Sequence, residues 1–394
     1  MEHRRAMAIC QPAHDRYTLQ FTMPALTDIL GQPRAVESLA NALRTGTIHH
    51  AYLFAGPEGV GKRTTAEAFA AAVIDPGTGP NLAGDIAPDP DSEHQRLLSS
   101  GTHPDLHIIT KELAAFSEDA QLRKKKQRNI PVDLLRERML GGEVGQAKRF
   151  HDPIAAMAPS MGDRRVFILD EAELLERQGA NALLKTLEEP AATTIIILIT
   201  SSEQRVLPTI RSRCQRIAFT SLDDDAMTTW AQRANVDFGE GALDRDWILR
   251  FATGSPGVAL LAASTGLLAW RDELSPMLDD VDAGVFPSTF GASMASLVDT
   301  WAQAWVKANA GASKEAANRR AASLLIRLLA MRVRDDFDHA DQPGALARGM
   351  RRASALADVE VRLRANVSPK LTFAAVAAAW AEQSCGNAAI FAPA

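Results

Sequence analysis

Over the first 220 residues, short apolar runs alternate with segments of helical period; beyond them helical period stands alone. Ala51 to Phe54, Asp105 to Thr110, Arg165 to Leu169, Thr194 to Ile199 and Gln215 to Phe219 are strand-sized. The runs 165–169 and 194–199 have almost no polar alternation, as expected of central parallel strands covered on both faces. Between the runs, Pro33 to Arg44 is a helix: Pro33 suits a first turn, Ala35-Val36, Leu39-Ala40 and Leu43 share a face, and Gly46 ends it. Arg63 to Ala72, Ile130 to Met139 (closed by Gly141-Gly142) and Asn181 to Leu187 (stopped by Glu188-Glu189-Pro190) are the other helices. Asp75 to Thr102, rich in Pro, Gly, Asp and Ser, is expected to be a partly disordered loop.

From Asp223 the pattern is helical only. Ala226 to Arg233, Leu243 to Ala252 and a helix beginning at Gly254-Ser255-Pro256-Gly257 predict a small helical lid. After Trp270 an Ala-rich helical stretch runs to Glu382, broken near Pro287, Gly311 and Pro343, which predicts a bundle with Leu324, Leu325, Leu328, Leu329 and Val333 in its core. The expected organisation is an extension over 1–23, an α/β domain with a parallel sheet over 24–220, the lid over 221–268 and an all-α bundle over 269–394.

Composition refines this little. The net charge of −5 makes any nucleic-acid contact local rather than global. The run Arg123-Lys124-Lys125-Lys126-Gln127-Arg128 reads either as a solvated loop or as a phosphate contact on DNA. Cys10, Cys214 and Cys385 are far apart and form no CxxC pair, which suits a reducing cytosol better than a disulfide framework. No apolar run approaches a membrane span, and residues 1–23 have no apolar leader segment, so a cytoplasmic protein is expected.

The candidate chemistry centres on Gly56-Pro57-Glu58-Gly59-Val60-Gly61-Lys62. A strand before and a helix after are the setting a phosphate-binding loop needs. Its backbone N–H groups and the positive end of the new helix suit an anion, and Lys62 is placed to reach the outer phosphates. The pattern wants Ser or Thr next, to hold Mg²⁺; this chain has Arg63. Thr64 is one step on, rotated by about 100°, and should miss the ion. Asp170, at the end of its strand, is the candidate Mg²⁺ partner, and Glu171 the candidate base for an attacking water. Thr200 and Ser201, ending another strand, read either as a γ-phosphate sensor or as a turn bonded to its own backbone.

These stretches, followed in order by Asn181 to Pro190 and by Arg211-Ser212-Arg213-Cys214, resemble the bacterial clamp-loader subunits, AAA+ proteins of the DNA polymerase III holoenzyme. Gly101-Thr102-His103-Pro104-Asp105 and Gly254-Ser255-Pro256-Gly257 are similar to the delta-prime branch of that family. The resemblance covers residues 24 to 265 well, and the C-terminal bundle by length and helicity alone. It implies an α/β AAA+ (P-loop NTPase-like) domain, a lid and an oligomerisation collar. It also implies partners: gamma/tau and delta subunits in a hetero-pentameric ring that uses ATP to open the sliding clamp and place it on primed DNA. By the same resemblance, Arg213 is an arginine finger that reaches the γ-phosphate in a neighbour's site.

The departures point to a scaffold rather than a motor. Residues 75 to 100 lack the four cysteines with which many relatives bind zinc, and with only His94 nearby no zinc is expected. Where active subunits carry a lid arginine, this chain has Gly257 and Val258. With Arg63 in the metal position, two parts needed for hydrolysis are missing, and Glu171 becomes a vestigial or weak base. The loop could still hold ATP, with Mg²⁺ only alongside it; no other metal is expected. The alternative is an ATP-hydrolysing motor subunit of gamma/tau type, or another AAA+ DNA-remodelling ATPase.

Overall fold

A computed structural model describes residues 24–81, 84–124, 128–234, 236–239, 241–285, 287–309, 311–364 and 368–381. The extension expected over 1–23 lies outside the described residues, as do Lys125, Lys126 and Gln127 of the basic run.

The five apolar runs form one parallel sheet: β1 (Ala51–Ala55), β2 (Leu106–Ile109), β3 (Arg165–Leu169), β4 (Thr194–Thr200) and β5 (Gln215–Ala218), in spatial order β2-β3-β4-β1-β5. Tyr52 of β1 lies opposite Ile197 of β4 on one side and Gln215 of β5 on the other. Every residue of β1, β3 and β4 is buried, which accounts for their unbroken hydrophobicity; on edge strand β5 only Ile217 is buried. Helix α1 (Pro33–Thr45) ends at Gly46 in the left-handed conformation, α2 (Lys62–Ile74) follows β1, and α3 (Arg177–Glu188) lies between β3 and β4 in the chain.

One apolar cluster joins Leu53, Phe167, Leu169, Ile196 and Leu198 of the sheet to Leu134, Leu135, Met139, Leu183 and Leu187. Elsewhere Phe69 of α2 packs edge-on against Tyr52, with ring centroids 5.3 Å apart. Each such side chain contributes about 1.5–3 kcal/mol by leaving water.

The expectation of a partly disordered loop over 75–102 is corrected. Gly79–Pro80 pairs antiparallel with Ile86–Ala87, and Glu93–Ser99 is a helix whose N-cap, Ser92, accepts from the Gln95 N–H at 3.0 Å. Buried Asp75 organises the segment, accepting from Ser92 Oγ at 2.7 Å and Gln95 Nε2 at 3.1 Å. A hairpin of Gly142–Val144 with Arg149–His151, unsignalled in the sequence, precedes β3.

The chain forms two compact units. The sheet unit runs to Val236, including helix α4 (Asp224–Arg233), and takes back Ala252–Val258; the other comprises Asp237–Phe251 and the chain from Ala259. In the second unit α6 (Phe290–Ala308), α7 (Lys314–Asp338), α8 (Ala345–Arg364) and α9 (Pro369–Ala381) pack in a cycle, with α5 (Leu267–Asp282) beside α6. The leucines of α7 and Val333 are buried. A buried ion network ties the helices: Arg352 of α8, 1% exposed, donates to Asp336 of α7 at 2.9 Å and to Asp282 of α5, and its guanidinium lies 5.0 Å from the ring of Trp380 of α9. Among the described residues no helix is long and apolar enough to cross a membrane.

Candidate functional site

Two places on the sheet unit carry the chemistry expected from the sequence, and they lie at opposite ends of β1. The carboxyl edge of the sheet holds the glycine-rich loop. The chain leaves β1 at Gly56, where a Cβ would stand 2.3 Å from the Phe219 carbonyl oxygen, so only glycine fits. Gly59 has φ +74°, and a Cβ there would meet Ser255 Oγ at 2.5 Å. The carbonyl oxygens of the loop are held from outside it: Glu58 accepts from Ser255 Oγ at 2.7 Å, Gly59 from the Gly257 N–H at 2.8 Å and Val60 from Gln32 Nε2 at 3.3 Å. Among the described residues, the N–H groups of Gly59, Val60 and Gly61 donate to no acceptor. Such a loop presents donors inward, as an anion requires.

Lys62, 6% exposed, folds its ammonium onto the loop, donating to the Gly56 oxygen at 2.7 Å and to the Pro57 oxygen at 2.5 Å. Burial lowers its pKa, against the pull of Asp170, Glu173 and Glu58. Arg63 is held at two points: its Nε donates to Glu67 Oε1 at 2.5 Å and its Nη1 to Asp170 Oδ2 at 3.2 Å. The other oxygen of Asp170 accepts from the Glu171 N–H at 2.9 Å. Thr64 is exposed, while Thr65 is buried and donates back to the Gly61 oxygen at 2.9 Å.

Glu171 has φ +52° and its carboxylate pairs with Lys111. Partial burial raises its pKa, and the Lys111 ammonium offsets only part of that. Thr200 is buried; its Oγ accepts from the Ser202 N–H at 3.0 Å and its carbonyl from the Gly56 N–H at 3.3 Å. Ser201 donates both its N–H, at 3.1 Å, and its hydroxyl, at 2.5 Å, to Glu173 Oε1. The Thr200 hydroxyl thus makes a local side-chain-to-backbone bond, whereas Ser201 is held by a carboxylate 28 residues away in the chain. Glu173 Oε2 is enclosed with no partner among the described residues.

Gln32, 4% exposed, bridges the loop to the end of β5, donating to the Thr220 oxygen at 2.7 Å and accepting the Thr220 N–H at 3.2 Å. Glu67, Lys111 and the role of Glu173 also went unread in the sequence. Their signals were faint: a polar residue before the Pro33 helix start, and one more acid in the Asp-Glu-Ala-Glu run.

The amino edge of the sheet holds Arg213, just ahead of β5. It lines an open cleft of about 560 Å³ with His49, His50, Leu187, Glu188, Ser212, Cys214 and Gln215. Its Nη2 donates to Glu188 Oε1 at 2.7 Å and its Nη1 to the Thr209 oxygen at 3.0 Å, leaving the side chain 36% exposed. Burial pushes the Cys214 thiol, in the same cleft, up to about 12. His49 and His50 stack with ring centroids 4.3 Å apart, and burial lowers the pKa of His50. One strand separates this cleft from the glycine-rich loop, roughly 15 Å at about 3.3 Å per residue.

The Gly-Thr-His-Pro-Asp segment is structural. Asp105 carries a carboxylate with 0% exposure that accepts from the Ser160 N–H at 2.7 Å, the Met161 N–H at 2.8 Å and Arg165 Nη2 at 3.0 Å. Burial alone would raise its pKa; the two N–H donors and the guanidinium bring it below the ordinary carboxylate value. His103 Nδ1 accepts from the Asp105 N–H at 3.1 Å. No cluster of three or more His, Cys, Asp or Glu fit for a metal occurs among the described residues.

Residues 31–223 match the family model described as DNA polymerase III, delta subunit. The match covers just under half of this chain. The DNA polymerase III subunit delta' of Pseudomonas aeruginosa is 35% identical over 225 residues, 57% of this chain and 59% of that protein. The subunit delta' of Bacillus subtilis is 31% identical over 196 residues, half of each chain. The subunit tau/gamma of Haemophilus influenzae is 31% identical over 222 residues, 55% of this chain and 27% of that protein. The chain thus spans less than two thirds of the length of each of these relatives. The matched segment holds the whole parallel sheet, the glycine-rich loop and Arg213.

Proposed function

We propose that this chain is a delta-prime-type subunit of a bacterial clamp loader, a scaffold that offers Arg213 to the ATP site of a neighbouring subunit and does not itself hydrolyse ATP. One observation carries the reading: Arg213 stands about one strand length from the chain's own phosphate loop, at the opposite edge of the sheet. It is therefore out of reach of that loop and available to another. A guanidinium is permanently charged and forks onto phosphate oxygens, which suits it to act on a γ-phosphate in trans.

Two further features support a scaffold over a motor. Arg63 occupies the metal position and is paired with Asp170, and Glu171, the candidate base, is paired with Lys111. The loop retains Lys62 and inward N–H groups, so it can still take a nucleotide. In this reading the partners are gamma/tau and delta subunits in a five-membered ring, acting on the sliding clamp and primed DNA in the cytoplasm.

The test is ATP turnover of the purified chain alone and in the reconstituted loader, with clamp and primed DNA. The expected outcome is no turnover alone, and stimulated turnover in the assembly that falls with Arg213→Ala. Turnover by the isolated chain that disappears with Lys62→Ala makes it a motor and overturns the proposal, as does full turnover in a correctly assembled ring carrying Arg213→Ala.

A further inference from the structure

The fold places Mg²⁺ beside the lysine of a phosphate loop, on the hydroxyl that follows it and a strand-end aspartate. The residues of this chain do not fit that ion. The hydroxyl is replaced by Arg63, and the next one, on Thr64, is exposed to solvent. Asp170 has both oxygens engaged, one by Arg63 Nη1 at 3.2 Å and one by the Glu171 N–H at 2.9 Å. Arg63 is also fixed by Glu67 at 2.5 Å, so its guanidinium is tethered across the position at two points. Mg²⁺ demands near-octahedral oxygen ligation and gives up its waters reluctantly. Of the two ligands the fold supplies, one is missing and the other carries a hydrogen-bond donor on each oxygen, and the ion meets a fixed positive charge.

We propose that the Arg63 guanidinium takes the place of the metal in this loop, so that the loop holds the phosphate chain of a nucleoside di- or triphosphate without a divalent ion. The inference rests on reading residues 56–62 as a phosphate loop and is independent of Arg213. The charges set its character. Lys62 and Arg63 together supply one positive charge fewer than a lysine with Mg²⁺, and Asp170, Glu67 and Glu173 stand close by. Binding is therefore weak, and a third phosphate adds little to it. An excess of Mg²⁺ in solution works against binding, because it ties up the free nucleotide while the site has no use for it.

The experiment is a titration of the full-length chain with a fluorescent ADP analogue at constant ionic strength, once in EDTA and once in excess Mg²⁺. A second readout is the paramagnetic resonance of Mn²⁺ in the presence of chain and ADP. The expected result is binding at least as tight in EDTA as in Mg²⁺, with no Mn²⁺ immobilised by the wild type beyond that held by ADP alone. Lys62→Ala weakens binding in both conditions. Arg63→Thr restores a hydroxyl and frees Asp170, so it binds about tenfold more tightly with Mg²⁺ than without. Arg63→Lys keeps the charge and stays indifferent to metal. Three results overturn the inference: wild-type binding that needs Mg²⁺, no wild-type binding in EDTA up to about millimolar nucleotide, or binding untouched by Lys62→Ala. None of them bears on Arg213, whose role is decided by turnover of the assembled ring.

Discussion

The two edges of the parallel sheet are built in opposite ways. At the carboxyl edge the polar groups are engaged within the site: Lys62 on its own loop's carbonyls, Arg63 on Asp170 and Glu67, Lys111 on Glu171, Ser201 on Glu173. At the amino edge Arg213 has one exposed carboxylate for company and faces an open cleft. A guanidinium held by two half-buried acids, as Arg63 is, is part of the framework. One held by an exposed acid is available, because such pairs contribute only about 0–1 kcal/mol and yield to a competing phosphate. The parts of a nucleotide site are thus kept at one edge as architecture, while the sparser edge leaves its arginine accessible.

The contrast breaks most decisively at Arg213. Arg213→Ala is expected to lower turnover at the one ATP site it serves by about 10³-fold, the scale of an arginine supplied in trans, with the isolated chain's melting curve unchanged. Single-turnover hydrolysis in the assembled loader reads this. Next in size is Asp105, the buried anchor of the amino edge. Asp105→Ala leaves Arg165 buried and unpaired and is expected to cost about 3–5 kcal/mol in denaturant unfolding.

The same residue gives a pH dependence. Its pKa is depressed in the folded chain, so its contribution is fully present above the unfolded carboxylate value and is lost as pH falls through the folded one. The gap between wild type and Asp105→Asn is therefore expected to be wide at neutral pH and to narrow in acid. A gap that stays constant across that range removes the ionised carboxylate from the account.

Two smaller effects sharpen the comparison. Glu188→Gln removes the counterion of Arg213; stability should shift by less than about 1 kcal/mol, while turnover of the ring at subsaturating ATP rises by about twofold. Lys62→Ala should change ring turnover by less than about twofold if, as proposed, the loop it serves does not hydrolyse. A loss matching that of Arg213→Ala makes the two edges equal partners in catalysis and removes the contrast.

The sheet was legible because its central strands are buried on both faces and so are apolar throughout; β1, β3 and β4 could be read from hydrophobicity alone. The loop was legible because its glycines are forced, at Gly56 by the Phe219 carbonyl and at Gly59 by Ser255. Arg63 was legible as a misfit, but not as a replacement: its bond to Asp170 spans 107 residues of chain, and only folding shows that the same group both removes a ligand and supplies a charge. Gln32 escaped for the same reason, its partners Val60 and Thr220 lying 28 and 188 residues away. The segment 75–102 was misread because a buried carboxylate, Asp75, orders it rather than an apolar stripe, and composition does not reveal which acid will be buried.

The pairing of Arg63 with Glu67 and Asp170 also bears on how reversible the change is in descent. An ancestor with Thr or Ser at position 63 could reach arginine by one substitution, but the way back is not its mirror image. Once Glu67 and Asp170 share a guanidinium, losing it sets two carboxylates, with Glu173 close by, against a single buried ammonium. A lineage that returns to a hydroxyl at this position therefore has to recruit the metal in the same step or change Glu67 first. The substitution works as a ratchet: easy to enter, awkward to leave, and able to hold a subunit in the scaffold's role long after the rest of its loop has kept the form of an ATPase.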